Sequence, residues 1–196
     1  SHHAVQDYAL LRSMPNMLIA APGDPIEVRS CLRYLVKTGF PSYLRLGKAG
    51  EPCFHDTLPD VAPGKWVQVN TQEPSEHKGS RTAVLTTGAT LEVGMDLCQR
   101  PEFKDCPLFS MPLWGQSSKS IQEEQAAPFE ELITLEDHLL DGGFGSWMME
   151  SLTLDGQAGK VNPNALSAQV CGTVGSQSTL NKFGGLGVIQ RRTNDS

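Results

Sequence analysis

Residues 17–46, MLIAAPGDPIEVRSCLRYLVKTGFPSYLRL, decide the fold of the first part of the chain. Five mostly apolar residues open the stretch and end at a Pro-Gly pair, which predicts a short buried strand. Asp24 and Pro25 then have the chemistry of a helix start, and Gly39 has that of a helix end. Between them, apolar side chains recur at near-helical spacing, at Ile26, Val28, Leu32, Leu35 and Val36. Because residues 41–46 read as a second strand, the stretch predicts a βαβ crossover in a parallel sheet.

The alternation of strands and helices extends outward from this stretch. Upstream, residues 1–16 predict an opening helix that stops at a Pro-Asn pair. Downstream, residues 47–81 are rich in Gly, Pro, Glu, Lys and His, which predicts a long surface linker with an edge strand near residues 66–69. In the rest of the chain, residues 82–196, strands are predicted at 82–88, 108–114, 131–137 and 169–174, helices at 91–98, 120–127 and 144–152, and a loose tail from residue 184. The sequence therefore predicts two α/β units joined by a linker.

Composition places the chain among ordinary globular proteins. Of its 196 residues, 39% are hydrophobic and 19% are charged, and the net charge is -6. This acidic balance disfavours a surface built for nucleic acid or for anionic lipid. No apolar run reaches the roughly 18 residues of a membrane span, so we expect a soluble cytoplasmic protein. The cysteines are odd in number and widely spaced, which predicts neither a disulfide framework nor a zinc site.

The head of the chain, SHHAVQDYALLRSMPNM, places a hydroxyl, two imidazoles and a carboxylate at a helix start. A helix start of this kind suits an anion, but Ser1, His2 and His3 alone are also typical of a purification-tag remnant or of capping residues. Together, however, residues 1–17 resemble a segment of transketolases and deoxyxylulose-phosphate synthases. That segment reads Thr-His-His-Gly, then any two residues and Asp, and it continues with Leu-Arg and Pro-Asn-Met. That segment lies in the last part of their pyrimidine-binding domain. Asp24-Pro25 and residues 43–47, YLRLG, fall where the family has its own Asp and its aliphatic-Arg strand end.

The second half extends the resemblance. Residues 84–93, VLTTGATLEV, are similar to the first strand, turn and helix of the transketolase C-terminal domain. Residues 135–138, LEDH, and 142–146, GGFGS, are similar to a later strand end of that domain and the helix start after it. The expected fold is therefore the end of a pyrimidine-binding α/β domain over residues 1–46, then a transketolase C-terminal-type α/β domain with a mostly parallel sheet. Glu136, Asp137 and His138 could be mistaken for a catalytic or metal cluster, but we predict helix capping and domain contacts.

The resemblance also implies substrate-binding residues. In this family the His of the Thr-His motif and the Arg at the strand end line the substrate channel and contact the sugar's hydroxyls and phosphate. By position these are His2 and Arg45, and His3 matches a second His found in the synthase-like variant. A guanidinium suits phosphate, and an imidazole suits a hydroxyl that exchanges a proton. The competing interpretation of Arg45 is a surface ion pair at a strand end.

Two parts of the family's site are missing from this sequence. The family holds thiamine diphosphate and Mg²⁺ through a Gly-Asp-Gly motif in a large N-terminal domain, and a Glu of the pyrimidine-binding domain activates the cofactor. Neither is present, so we predict no catalytic, cofactor-binding or metal-binding residue in this chain. Half a pyrimidine-binding domain also leaves an open sheet edge and uncovered apolar helix faces. The expected partner is therefore the missing N-terminal portion or a partner subunit, in a homo- or heterodimer.

Three functions remain open on the sequence. The first is the C-terminal portion of a transketolase-like, thiamine-diphosphate-dependent transferase that acts on sugar phosphates and is inactive alone. The second is a β-subunit-like part of a 2-oxo acid dehydrogenase, whose last two domains have the same order. The third is a non-catalytic dimerisation or regulatory module. The His-His segment and Arg45 favour the first over the second.

Overall fold

A computed structural model describes residues 5–47, 50–70, 81–186 and 188–189. The α-helices are α1 (Asp7–Arg12), α2 (Pro25–Thr38), α3 (Thr90–Cys98), α4 (Gln122–Ala126), α5 (Phe144–Ser151) and α6 (Gln177–Phe183). The strands are β1 (Leu18–Ala20), β2 (Ser42–Leu44), β3 (Val67–Gln68), β4 (Thr82–Thr86), β5 (Leu108–Ser110), β6 (Leu113–Trp114), β7 (Glu131–Leu139) and β8 (Val161–Leu166). Short 3₁₀ helices occupy Gln116–Ile121, Ala158–Lys160 and Ala168–Val170.

The predicted βαβ crossover is confirmed in the first unit. Strands β1 and β2 run parallel and α2 connects them. Asp24 caps α2, because its side chain accepts the Glu27 N–H at 2.7 Å. Gly39 ends the helix in the left-handed conformation, with φ of 66°, which costs glycine little. The local signals in the sequence therefore set both ends of this helix.

The predicted single strand over residues 108–114 is wrong, because the chain changes sheets inside it. Strand β5 pairs with β4, whereas β6 pairs antiparallel with β1 and completes a three-stranded sheet in the order β2-β1-β6. Met111 N–H still donates to the Thr86 carbonyl at 2.9 Å, and the next carbonyl, that of Pro112, accepts the Ala21 N–H at 2.8 Å. Pro112 has no N–H with which to continue the first ladder. One short segment thus belongs to both sheets.

The second sheet has five strands in the order β3-β5-β4-β7-β8. The last four run parallel to their neighbours, and β3 pairs antiparallel with β5 at the edge, as predicted for residues 66–69. Successive residues of β4 face opposite ways: Leu85 packs in the cluster that contains residues of α5, and Val84 packs in the cluster that contains residues of α3. The chain is therefore an α/β protein whose main sheet has helices on both faces.

Two predictions near the C-terminus are wrong. Residues 169–174 form no strand; Ala168–Val170 is a 3₁₀ helix, and the last strand of the sheet is β8 instead. Strand β8 contains Pro163, which the sheet tolerates because β8 is an edge strand. The predicted loose tail is also wrong where it is described, because Leu186 is buried in a cluster with Val5.

The connection between the two units contributes to the core. Val61, Trp66 and Val67 are buried, although the composition of residues 47–81 predicted a surface linker. On the outer side of the first unit, Leu32, Val36 and Phe40 are exposed, and β2 is an edge of its sheet.

Within the described residues, no helix has the length and apolar character needed to cross a membrane. The five cysteines, all of which are described, form no disulfide.

Candidate functional site

Arg45 lies between two carboxylates that come from distant parts of the chain. It follows β2, and its Nε lies 2.9 Å from Oδ2 of Asp7 in α1. Its Nη1 donates to Oδ1 of Asp137 in β7, and its Nη2 donates to the Asp137 carbonyl at 3.2 Å. The Arg45 side chain is only 17% exposed. The guanidinium therefore joins the first unit to the main sheet.

Two tyrosines complete this group, called here the Arg45 cluster: Asp7, Tyr8, Tyr43, Arg45 and Asp137. The guanidinium carbon lies 4.9 Å from the centre of the Tyr8 ring, and Nη1 donates to the Tyr8 hydroxyl at 3.2 Å. The Tyr43 hydroxyl donates to Asp7 Oδ2 at 2.9 Å. Burial raises the pKa of Tyr8, so its hydroxyl stays protonated at neutral pH. Burial alone would lower the pKa of Arg45, but the neighbouring negative charges, Asp137 foremost, raise it.

The residues beside Asp137 in β7 have the predicted capping and contact roles. Glu136 accepts the Phe144 N–H at 2.5 Å and the Gly145 N–H at 2.8 Å, so it caps the start of α5. Burial raises the pKa of Glu136 to about 8. The His138 ring stacks on Tyr8 with 4.8 Å between the ring centres. Burial lowers the pKa of His138, so this imidazole is neutral at pH 7.

A cavity of about 1130 Å³ opens beside the Arg45 cluster. Arg45, Gly88 and Asp137 line it, and they lie at the carboxyl ends of β2, β4 and β7. Residues of α3 and α6 form other parts of its wall. In open parallel α/β sheets, ligands bind in the crevice outside the carboxyl ends of the strands. The cavity is therefore the best candidate ligand site among the described residues.

Of the predicted substrate-binding residues, Arg45 lies within the described residues. Arg45 lies in the cavity wall and forms the ion pairs described above. His2 and His3 lie outside the described residues, so their contact with Arg45 stays a prediction. Asp7 and Tyr8 were not assigned to the site from the sequence, although both belong to the quoted motif. Only their positions beside the predicted histidines could have indicated them.

The described part of the chain offers no cluster of metal-ligating side chains. It contains no group of three or more His, Cys, Asp or Glu side chains that could hold a metal ion. Asp24 and Glu27 are both buried, but their carboxylates accept hydrogen bonds from backbone N–H groups and from Ser110. These contacts give both side chains a structural role at the start of α2.

Comparison with known sequences supports the resemblance seen in the motifs. Residues 1–50 match the family model described as the transketolase pyrimidine-binding domain. The chain is 31% identical over 155 residues to a 1-deoxy-D-xylulose-5-phosphate synthase of Thermus thermophilus, a match that covers 78% of this chain and 23% of that protein. It is 22% identical to a subunit of the apulose-4-phosphate transketolase of Actinobacillus succinogenes, covering 95% of this chain and 58% of that subunit. The chain therefore spans about a quarter of the length of the curated synthases it matches.

Solved structures agree with the fold. A split-gene transketolase, described as an inactive β4 tetramer, superimposes with a TM-score of 0.78 at 21% identity, and the match covers 93% of this chain and 58% of that one. Transketolase from Leishmania mexicana superimposes with a TM-score of 0.61 at 14% identity, covering 93% of this chain and 25% of the enzyme. At these identities the likeness concerns the fold. Both units of the present chain are covered by it.

Proposed function

Because this chain belongs to the transketolase family, we propose that it is the C-terminal portion or a subunit of a thiamine-diphosphate-dependent transferase acting on sugar phosphates. The observation that carries the proposal is the fixed guanidinium of Arg45 in the wall of a cavity at the carboxyl ends of the strands. A planar cation held on both sides by carboxylates is oriented before a ligand arrives, which lowers the entropic cost of binding.

Arg45 is proposed to contact the substrate together with His2 and His3. Asp7 and Asp137 carry two negative charges beside the single charge of Arg45, so a phosphate needs further cationic or hydrogen-bonding groups. Arg100 and Lys182 line the same cavity. His2 and His3 precede α1 closely enough in sequence to add imidazoles. The proposed role of Arg45 is thus to orient a phosphorylated substrate in a group of cations, rather than to bind it alone.

Thiamine diphosphate and Mg²⁺ are proposed to be bound by parts of the complete enzyme that lie outside this chain. The chain alone is then inactive, and it contributes substrate contacts and a surface for association. The exposed apolar residues of α2 and the open edge of β2 support an association with the N-terminal portion or a partner subunit in a dimer. We also propose a cytoplasmic location, where the cysteines stay reduced.

The proposed activity is tested by measuring ketose-phosphate turnover in the presence of thiamine diphosphate and Mg²⁺. Activity is expected for the complete enzyme and not for the 196-residue chain. Binding of thiamine diphosphate to this chain alone, measured by calorimetry, would contradict the proposed division of the site. Turnover of 2-oxo acids with a lipoyl partner, in place of ketose phosphates, would favour the dehydrogenase alternative.

The role of Arg45 is tested separately in the complete enzyme with Arg45→Lys. Lysine keeps the charge but cannot make the planar contacts of a guanidinium. The KM for the phosphorylated substrate is expected to rise about tenfold, or ~1.4 kcal/mol, whereas the KM for the unphosphorylated sugar changes little. Arg81→Lys is the matched control, because the Arg81 side chain is 70% exposed, pairs with Glu130 and lies outside the cavity lining. An equal KM for the Arg45 and Arg81 variants would leave Arg45 with a structural role only.

A further inference from the structure

A second ionic group is buried where the connection between the units meets α2. Asp24 and Glu27, at the start of that helix, are fully buried. His55 comes from the connection, and its side chain is 9% exposed. These three residues are called here the His55 cluster. The proposed function uses none of them, and His55 carried no functional signal in the sequence.

Asp24 fixes one side of the imidazole. Its Oδ2 accepts the N–H groups of Phe54 at 2.8 Å and of His55 at 3.0 Å, and it lies 3.1 Å from His55 Nδ1. Its Oδ1 accepts the Glu27 N–H. Burial raises the pKa of Asp24, but the hydrogen bonds, that of His55 foremost, outweigh it and hold the pKa well below its usual range. Asp24 is therefore ionised, and Nδ1 of His55 carries the hydrogen that it donates.

Glu27 faces the other side of the imidazole. Its Oε2 accepts the Gly23 N–H at 2.7 Å and the Ser110 hydroxyl at 3.0 Å. Its Oε1 lies 3.7 Å from Nε2 of His55, and within the described residues neither of these two buried atoms has a hydrogen-bond partner. Without a proton between them, the lone pairs of two buried atoms would face each other. Such an arrangement is costly, so a proton is required on one of the two atoms.

The imidazole is the stronger base of the two. An isolated imidazole holds a proton about two pKa units more tightly than an isolated glutamate carboxyl. The charge of Asp24 adds to that preference, because Asp24 contacts the ring directly. Burial raises the pKa of Glu27 as well, so the carboxyl is the competing site for the same proton.

We propose that His55 is an imidazolium clamped between Asp24 and Glu27, and that this proton fastens the connection to α2. Losing the proton leaves two buried carboxylates facing a neutral ring. The hydrogen bonds from Phe54 and His55 to Asp24 then weaken, and the first part of the connection separates from the helix start. The cluster is thus a pH-sensitive latch between the βαβ unit and the segment that leads to the main sheet.

Other titratable groups lie around the His55 cluster. Within the described residues, Cys31 lies close enough to Glu27 for the carboxylate to affect its thiol, although burial is the main cause of its raised pKa. Glu51 interacts electrostatically with Asp24. On the open side of His55, a smaller cavity is lined by Asp56, Asp60 and Lys65. Strand β5 contributes the hydroxyl of Ser110. Three of these groups, Glu51, Asp56 and Asp60, are carboxyls, and Asp60 is paired with Lys65 at 2.6 Å.

The direction of the pH effect follows from the hydrogen bond to Asp24, which raises the pKa of His55 above its ordinary value of 6.5 while burial opposes the rise. The stabilisation is fully present below pH 6.5 and is lost as the pH rises through the pKa of the folded protein. The latch is therefore closed below pH 6.5 and opens as the pH rises through the pKa of His55 in the folded protein.

The test is a ¹⁵N NMR titration of the imidazole nitrogens in the full chain, with assignments from single His→Gln variants. His55 is expected to show imidazolium shifts at pH 7 and a midpoint above 6.5, the ordinary value. His138 is the internal control: its Nδ1 lies 2.6 Å from the Leu139 carbonyl, and it should remain neutral. A neutral His55 ring at pH 7 would overturn the proposal.

A variant tests the role of Glu27 and the effect on the connection. Glu27→Gln should shift the His55 midpoint towards 6.5, because one of the two anions is lost. In the unchanged protein, hydrogen exchange at the Phe54 and His55 amides, corrected for intrinsic rates, should accelerate along the His55 titration curve. The amide of Ala21, bonded to Pro112, should not. An unshifted midpoint in the variant or unchanged protection at both amides would overturn the latch; if the variant does not fold, the two measurements on the unchanged protein decide.

Discussion

The Arg45 cluster and the His55 cluster join distant segments of the chain through different cations. Each places one cation between two carboxylates, and each fastens segments that are far apart in sequence. Arginine stays charged at every accessible pH, whereas histidine can lose its charge within the physiological range. The first cluster also borders the large cavity, while the two carboxylates of the second are fully buried. The comparison indicates that the first junction is permanent and that the second is conditional.

Removing the arginine should break the permanent junction. Arg45→Ala leaves Asp7 and Asp137 without their cation, and removing one partner from a buried pair costs about 3–5 kcal/mol. Urea unfolding of the full chain at pH 7 measures this loss. Arg33→Ala on α2 is the control and should change the free energy of unfolding by less than about 0.5 kcal/mol. A loss below about 1 kcal/mol for Arg45→Ala would show that the cluster is not a structural junction.

The conditional junction should appear as a slope in stability against pH. One extra proton on the folded protein makes the free energy of unfolding fall by about 1.4 kcal/mol per pH unit above pH 6.5, until the folded pKa of His55 is reached. The double variant Glu27→Gln/His55→Asn carries no titratable side chain at either position and should lose this component. Unfolding curves from pH 6 to pH 9 compare the two proteins. The same slope in both would assign the pH dependence to other groups.

Glu136 is a buried carboxyl with no cation bound to it among the described residues, and it can be compared with the two clusters. Its hydrogen bonds come from backbone N–H groups. The pKa of Glu136 is raised by burial to about 8, so its stabilising protonated form is fully present below pH 4.5 and is lost as the pH rises through 8. Glu136→Gln should flatten this part of the pH profile and cost about 1–2 kcal/mol at pH 6, because one backbone N–H loses its acceptor. Glu124→Gln on the exposed surface is the control. An unchanged profile would mean that Glu136 is ionised throughout.

The smallest expected effect concerns the rim of the Arg45 cluster. Tyr43→Phe removes the hydroxyl that donates to Asp7 at 2.9 Å and should lower the free energy of unfolding by about 0.5–1.5 kcal/mol. Tyr34→Phe, on α2 and packed in a different cluster, is the matched control. Thermal or urea unfolding measures both variants. If Tyr43→Phe is neutral, Arg45 alone holds Asp7 in place.

The parts of the fold that could be predicted correctly from the sequence are those set by local chemistry. The cap at Asp24 and the left-handed Gly39 act within a few residues of the helix ends they determine. Strand β8 was missed because Pro163 reads as a strand breaker, and only its place at a sheet edge makes the proline acceptable. Helix α6 was missed because its sequence, QSTLNKF, has no apolar periodicity; Leu180 is its only buried apolar residue.

The candidate sites show the same limit. Arg45 could be selected because a family motif surrounds it, but its partner Asp137 lies 92 positions away, and no spacing rule connects the two. His55 lies in a segment whose composition indicated a surface linker. Its importance depends on the cap residue Asp24, which the sequence assigned correctly to a helix start but not to an ionic contact. Long-range pairing of charges is decided by the fold and not by local patterns.

The segment that passes from one sheet to the other at Met111 and Pro112 also limits how this protein can be rearranged in evolution. In sequence, the two units look like separable modules with a natural boundary at residues 47–81. In space, the smaller sheet takes its third strand, β6, from the far side of that boundary. A recombination event that exchanged only one unit would deliver a sheet with a missing strand. The two units are therefore expected to be inherited together, as one piece of genetic material.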